Sequence, residues 1–398
     1  MSKLVSAPIA LLSNFLRNVV LRILLIICFI FSSIVHADDI DTYVNSVIKK
    51  NKIPSITIAI VKDGQIVKSQ GYGLANVELN TPATPNTIYQ SGSVGKQFTA
   101  TLIMQLVKEG KLSLDDKISK YLKNTPASWK NITIRHLLTH TSGIREYYDL
   151  NIFNYRLDYS DAEILSKIEK IPMEFKPGDQ WSYSNSGYIL LGFIIQKVTG
   201  KFYGELLQDR IFKPLEMNTA RIISDEDIVL NRAAGYKFVK GQLKNQDYVS
   251  PSFNRTADGC LYFTALDFAK WDASLYTDKI LSQDDLKLMW TPVKLNNGKT
   301  YPYGFGWFIG EVNNHKLIEH GGSWQGFLAY IARYVDDKTT VIVLINADTK
   351  GIKDIAHHIA GLYNPALMPS SPSSFKGALM TPTNCHACGS YDTTKSNS

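Results

Sequence analysis

Beyond residue 38, apolar side chains first recur at helical spacing. Ile40, Tyr43, Val44, Val47 and Ile48 form one stripe of a helix over 40–51, and Pro54 stops it. The period then changes to two. Ile56, Ile58 and Ile60 alternate, Asp63-Gly64 supplies a hairpin turn, and Gln65 to Tyr72 returns as a second strand. Between about Ser93 and Leu288 the pattern is helical, with segments at Val94 to Glu109 before Gly110, Ala162 to Lys170, Gly187 to Thr199 before Gly200, and Ala265 to Leu275. Strand-like runs come back at Gly304 to Ile309, Lys316 to Glu319, Phe327 to Tyr334 and Thr339 to Asn346, and Gly351 to Leu362 closes with a helix. Strands at both ends with helices between them predict an α/β (α+β) fold. One antiparallel sheet is assembled from the two chain ends and flanked by helices, with a large, mostly helical insertion over about 85–290. A cleft is expected where that insertion meets the sheet.

The two termini read differently from this body. Lys3, Arg17 and Arg22 precede an apolar run from Ile23 to Val35 that ends at Val35-His36-Ala37, the pattern of a secretory signal peptide over 1–37. The run is shorter than the ~20 residues a spanning helix wants, which favours cleavage over an uncleaved signal anchor and predicts a periplasmic or secreted protein. The folded body is then 38–365, and 366–398 is a polar tail rich in Ser, Pro, Thr and Asn in which order is not expected. Removing 1–37 lowers the formal net charge from +7 to +4, and no nucleic-acid-binding motif is present, so neither a nucleic-acid partner nor, after cleavage, a membrane is expected. Of four cysteines, Cys28 leaves with the signal and Cys260 stands alone. Cys385 and Cys388 lie in the tail without a second ligand pair or a helix start.

Ser93-Val94-Gly95-Lys96 sets a hydroxyl and an amine on one face of a helical turn. A serine hydroxyl is a weak nucleophile until a neighbouring base takes its proton, and an amine one turn along can be that base. A helix N-terminus adds a backbone N–H and the positive end of the macrodipole, both suited to a developing oxyanion. Ser46 to Lys49 and Ser373 to Lys376 match the same spacing, and Tyr43 to Asn45 repeats the Tyr-x-Asn of Tyr183 to Asn185. Order and context separate them: Ser93 alone follows a strand or loop and a glycine, Gly92, and opens an apolar helix.

Four segments occur in sequence: Ser93-Val94-Gly95-Lys96; Ile132-Thr133-Ile134-Arg135-His136-Leu137-Leu138-Thr139-His140-Thr141-Ser142-Gly143; Pro177-Gly178 through Tyr183-Ser184-Asn185; and His320-Gly321-Gly322. Through them the chain, from about Ile40 to Leu362, resembles the serine β-lactamase, penicillin-binding protein and esterase superfamily, on the branch of class C β-lactamases and D-Ala-D-Ala carboxypeptidases. The resemblance implies a β-lactamase/transpeptidase-like fold and an acyl-enzyme mechanism. Ser93 would be the nucleophile, Lys96 and Tyr183 would share the proton transfers, and Asn185 would orient substrate or Lys96. The backbone N–H groups of Ser93 and Ser323 would form the oxyanion hole, with His320 and Gly322 on the substrate side. No metal and no cofactor are implied.

Where the lactamases carry Lys-Thr-Gly, this chain has His320-Gly321-Gly322. A free histidine titrates near pH 6.5 and Lys96 is expected close by, so His320 should be neutral, able to donate one hydrogen bond but without a fixed charge for a substrate carboxylate. The expected activity is therefore hydrolysis of an ester or peptide-like amide, of the esterase or D-amino-acid peptidase/carboxypeptidase type, on a small-molecule or peptidoglycan-like substrate. The competing readings are a β-lactamase and a non-catalytic, penicillin-binding-like sensor that deacylates slowly. His136 and His140 have the spacing of a zinc helix but lack its glutamate, which assigns them structural roles. Packing roles are the default for Tyr147 and Tyr148. Asp258-Gly259-Cys260 borders the site by family analogy, with Cys260 a buried filler.

Overall fold

The computed structural model describes residues 39–369 and 375–376; the signal-like segment and the Cys385/Cys388 tail lie outside them. Helix α1 spans 39–51. It is followed by the hairpin β1 (Ser55–Lys62) and β2 (Gln65–Asn76), turning at Asp63-Gly64 as the alternation requires. The C-terminal strands are β3 (Phe308–Val312), β4 (His315–Trp324), β5 (Phe327–Tyr334) and β6 (Thr339–Ile345). Their order across the sheet is β3-β4-β5-β6-β1-β2, all antiparallel, so β1 and β6 zip the two chain ends together in the register Ile58↔Val343. The expected fold class is the observed one.

Both faces of the sheet are covered. Ile56, Ile58 and Ile60 of β1 pack with Val44 of α1 and with Ile355 and Ile359 of the closing helix (Ile352–Tyr363), while Ala59 and Val61 face the helical insertion. The insertion holds α2 (Lys96–Lys108), α3 (Ile134–Leu138), α4 (Asp161–Glu169), α5 (Asn185–Thr199), α6 (Tyr203–Leu207), α7 (Ala265–Ser274) and α8 (Gln283–Met289); the closing helix is α9. Local chemistry sets their ends: Ser160 and Glu163 form a capping box on α4, and Gly200 in the left-handed region (φ 71°) ends α5.

Three details differ from the sequence pattern. Strand β4 does not stop at Glu319 but runs through His320-Gly321-Gly322 to Trp324, paired with β5 at Gly322↔Ala329 and Ser323↔Leu328. The run Gly304 to Ile309 is a turn leading into β3, closed by Gly304 N–H donating to the Trp307 carbonyl at 2.8 Å. Past Pro365, Leu367 is fully buried and Phe375–Lys376 pairs with Val312 and Glu311 at the sheet edge.

A buried ion pair ties the sheet to the insertion. Arg333 of β5 donates through Nε to Asp272 of α7 at 2.5 Å, Thr340 of β6 adds a bond at 2.8 Å, and the guanidinium lies 4.9 Å from the Tyr276 ring. Both partners are inaccessible, with side chains 0% and 1% exposed. Deleting the carboxylate strands a charge in the core, so Asp272→Ala is expected to lower unfolding free energy by about 3–5 kcal/mol in a urea titration. A loss below about 1 kcal/mol, the range of exposed pairs, would contradict this.

Candidate active site

Residues Gly92–Gly95 form one 3-10 turn that runs directly into α2. Side chains three apart eclipse in such a turn, so Ser93 and Lys96 stand one over the other, with Lys96 Nζ 3.0 Å from Ser93 Oγ. Ser93 is 5% exposed and Lys96 fully buried. An amine removed from water must find protein acceptors. Nζ donates to Asn185 Oδ1 at 2.5 Å and to the Asp258 carbonyl at 2.6 Å. Those two groups can only accept. Ser93 Oγ can both donate and accept, so the proton between Oγ and Nζ is the one free to move.

Asn185 is delivered by a helix start. Ser184 caps α5, its Oγ accepting from Gly187 N–H at 3.3 Å, which makes Asn185 the first helical residue. Glu146 lies buried beneath that N-terminus, accepting from the N–H groups of Asn185 at 2.5 Å and Tyr148 at 3.2 Å. Burial pushes its carboxyl up to about 8, against the opposing pull of those N–H groups and of Lys96. Tyr183, just before the cap, holds its ring centroid 5.0 Å from Lys96 Nζ and 4.2 Å from the His140 ring.

Close backbone approach explains the glycines. A Cβ on Gly322 would overlap the Ser91 carbonyl oxygen and lie 2.7 Å from the Ser93 nitrogen, and one on Gly92 (φ 48°) would lie 2.7 Å from the Ser323 carbonyl carbon. Only glycine lets β4 press its main chain against the turn that carries Ser93. Ser323 then lines the cleft beside Ser93.

His320 sits elsewhere than expected. It is fully buried, and both ring nitrogens are engaged inside the protein. Ser184 N–H donates to His140 Nδ1 at 3.1 Å, which leaves the His140 proton on Nε2, directed at the Tyr303 hydroxyl at 3.1 Å. Tyr303 in turn donates to His320 Nε2 at 3.1 Å, and His320 Nδ1–H donates to the Gly321 carbonyl at 2.6 Å. Burial first, then the Lys96 charge, lowers the His320 pKa to about 3, so the ring is neutral as expected. It is a peg between β4 and α5, with no donor left for a substrate. The reason is Tyr303, which the sequence did not mark.

The cleft over Ser93 has Tyr148, Asn185, Asp258, Ser323 and Trp324 among its walls. Ser93, Lys96, Asn185, Gly322 and Ser323 thus converge and Tyr183 adjoins them. Tyr148, given a packing role by default, is a wall of the cleft, and Glu146, Tyr303 and Trp324 are additions that sequence reasoning did not single out. His136 takes a structural role, accepting from Thr133 N–H at 3.2 Å in the cap of α3. Cys260 is buried, its thiol donating to the Phe253 carbonyl at 3.0 Å, and burial raises its pKa.

The fold and this hydroxyl–amine pair define a serine hydrolase of the Ser-x-x-Lys type. The Beta-lactamase family profile matches residues 40–362, and the chain belongs to that family. It is 29% identical over 358 residues to penicillin-binding protein 4* of Bacillus subtilis, covering 84% of this chain and 78% of that one. To the putative penicillin-binding protein PbpX of the same organism it is 32% identical over 264 residues, which span 66% of this chain and 64% of that one. Among solved structures, the octameric penicillin-binding protein homologue from Pyrococcus abyssi superposes with a TM-score of 0.74 at 33% identity, covering 82% of this chain and 77% of that one.

Glu146 gives a test with a definite sign. Between about pH 4.5 and 8 the unfolded chain releases this proton while the folded chain keeps it, so stability falls as pH rises through that window. Glu146→Gln keeps an acceptor for Asn185 N–H and removes the titration. The expected result is a flatter stability-versus-pH curve for the variant across this window; parallel curves would contradict it.

Proposed function

We propose that this chain is an exported acyl hydrolase of esters or peptide-like amides, working through an acyl-enzyme on Ser93. The observation that supports it most is the Lys96 amine 3.0 Å from Ser93 Oγ with two of its bonds fixed by Asn185 and Asp258. Ser93 Oγ attacks the substrate carbonyl carbon and its proton passes to Lys96 Nζ. The carbonyl oxygen, now an anion, takes hydrogen bonds from the Ser93 and Ser323 N–H groups. As the intermediate collapses, the proton moves by way of Lys96 and Tyr183 to the leaving alkoxide or amine, and water then releases the acyl group by the same route in reverse. Penicillin-binding relatives support a small-molecule or peptidoglycan-like substrate. The neutral, internally bonded His320 supports an ester or amide hydrolase over an efficient β-lactamase, because no fixed cation stands where the lactamases carry lysine.

Ser93→Ala is expected to abolish covalent labelling by a fluorophosphonate; an adduct that persists and maps to Ser46 or Cys260 would contradict it. Lys96→Ala and Tyr183→Phe should each lower ester hydrolysis by ~10² to 10⁴, with the double variant little lower, since they serve one proton path. Strictly multiplicative losses would separate their roles. Nitrocefin turnover should be poor, and a kcat/KM above about 10⁵ M⁻¹s⁻¹ would restore the β-lactamase reading. Export is tested by sequencing the amino terminus of the mature protein, which should begin at Asp38; recovery of the full-length chain in membranes would establish the anchor instead.

A further inference from the structure

Asn185 is held at two points. Its Oδ1 accepts from Lys96 Nζ at 2.5 Å, and its main-chain N–H donates to Glu146 Oε2, also at 2.5 Å. The other carboxyl oxygen, Oε1, accepts from the main-chain N–H of Tyr148 at 3.2 Å, and Tyr148 belongs to the cleft wall. One carboxyl therefore joins the residue that holds the amine to the segment that lines the cleft. Ser186 Oγ fastens the same two segments a second time, donating to the Arg145 carbonyl at 2.9 Å. Capping does not account for Glu146, because Ser184 already caps α5 through Gly187 N–H. A helix start needs only an acceptor at its first N–H, and a main-chain carbonyl would supply one without burying an acid. Glu146 is buried, and burial works against its ionised form. Buried acids of this kind gather where geometry serves chemistry.

We infer that Glu146 is a positioning residue for acyl transfer: by taking the N–H groups of Asn185 and Tyr148 with one carboxyl, it fixes the acceptor of Lys96 and the adjoining cleft segment in a single frame. The inference rests on the acyl-hydrolase reading and names what holds its geometry. Glu146 acts through Asn185 and not on the substrate. Without its carboxyl the first residue of α5 loses an anchor, and the Lys96 bond to Asn185 Oδ1 shifts with it. That bond is one of the two that reserve the remaining Lys96 contact for Ser93 Oγ. A misplacement of ~1 Å in such a contact costs ~10²-fold in rate.

The test is the second-order rate at which a fluorophosphonate labels Ser93, measured well below the melting temperature of each variant. Glu146→Met fills the same space without a comparable acceptor and is expected to label ~10- to 10²-fold more slowly than wild type. Glu146→Gln again offers an amide oxygen to Asn185 N–H and should recover to within about threefold of wild type. If Glu146 served stability alone, the methionine variant would melt earlier and still label at the wild-type rate, which overturns the inference. A glutamine variant as slow as the methionine one also overturns it, since the acceptor would then not be what counts. Should Glu146→Met fail to fold, Glu146→Asp, one methylene too short to reach both N–H groups, carries the same expected slowing, and labelling at the wild-type rate overturns the inference in the same way. Each of these results leaves the acyl-hydrolase reading standing. A wild-type protein that takes no label overturns both.

Discussion

The site depends on one constraint: an amine that must stay beside Ser93 is sealed from water and therefore has to be hydrogen-bonded on every side. Lys96 has no exposed surface, and its acceptors come from three separate parts of the chain: the turn at Ser93, the start of α5 at Asn185, and the main chain at Asp258. Burying an amine whose N–H groups find no acceptor would be costly, so the three segments are held together by the same bonds that set the chemistry. Because two acceptors are fixed, the third position is reserved for the serine proton. Position and reactivity are one problem here, and the Ser93–Lys96 spacing solves it only when the other two segments close around it.

The rest of the site can be read as support for that closure. Glycines 92 and 322 let β4 pass the Ser93 turn at a distance no side chain permits. The chain from Ser184 N–H through His140, Tyr303 and His320 to the Gly321 carbonyl gives each of its protons a single place, locking β4 to the start of α5 with two neutral histidines. A histidine in a strand next to an active site invites a chemical role; here its burial and its two filled nitrogens make it a spacer.

Much of the fold was legible because its elements carry their own period. The Ile56, Ile58, Ile60 alternation and the Asp63-Gly64 turn set the first hairpin, and the apolar stripes marked α1, α2, α5 and α7 to within a turn. Ser93, Lys96 and the Tyr183-Ser184-Asn185 helix start were legible for the same reason, since each is a local geometry. Strand β4 was cut short in the reading because two glycines carry no hydrophobic signal, although they are what the strand needs where it meets Ser93. Glu146, Tyr303 and Trp324 were not singled out as site residues, and Tyr148 was set aside as packing. Each reaches the cleft by tertiary packing from a segment whose own pattern says only that it is buried. The same holds for His320, whose neutrality followed from a nearby charge but whose partner, Tyr303, could not be inferred from spacing.

The most direct measurement is a crystal structure of the protein carrying a phosphonyl adduct, whose tetrahedral phosphorus mimics the intermediate of acyl transfer. The account requires the phosphorus on Ser93 Oγ, its P=O oxygen within hydrogen-bond distance of the Ser93 and Ser323 N–H groups, and Lys96 still held by Asn185 Oδ1 and the Asp258 carbonyl. An adduct on another residue, a phosphoryl oxygen turned away from both N–H groups, or a Lys96 side chain swung out of the site would contradict it.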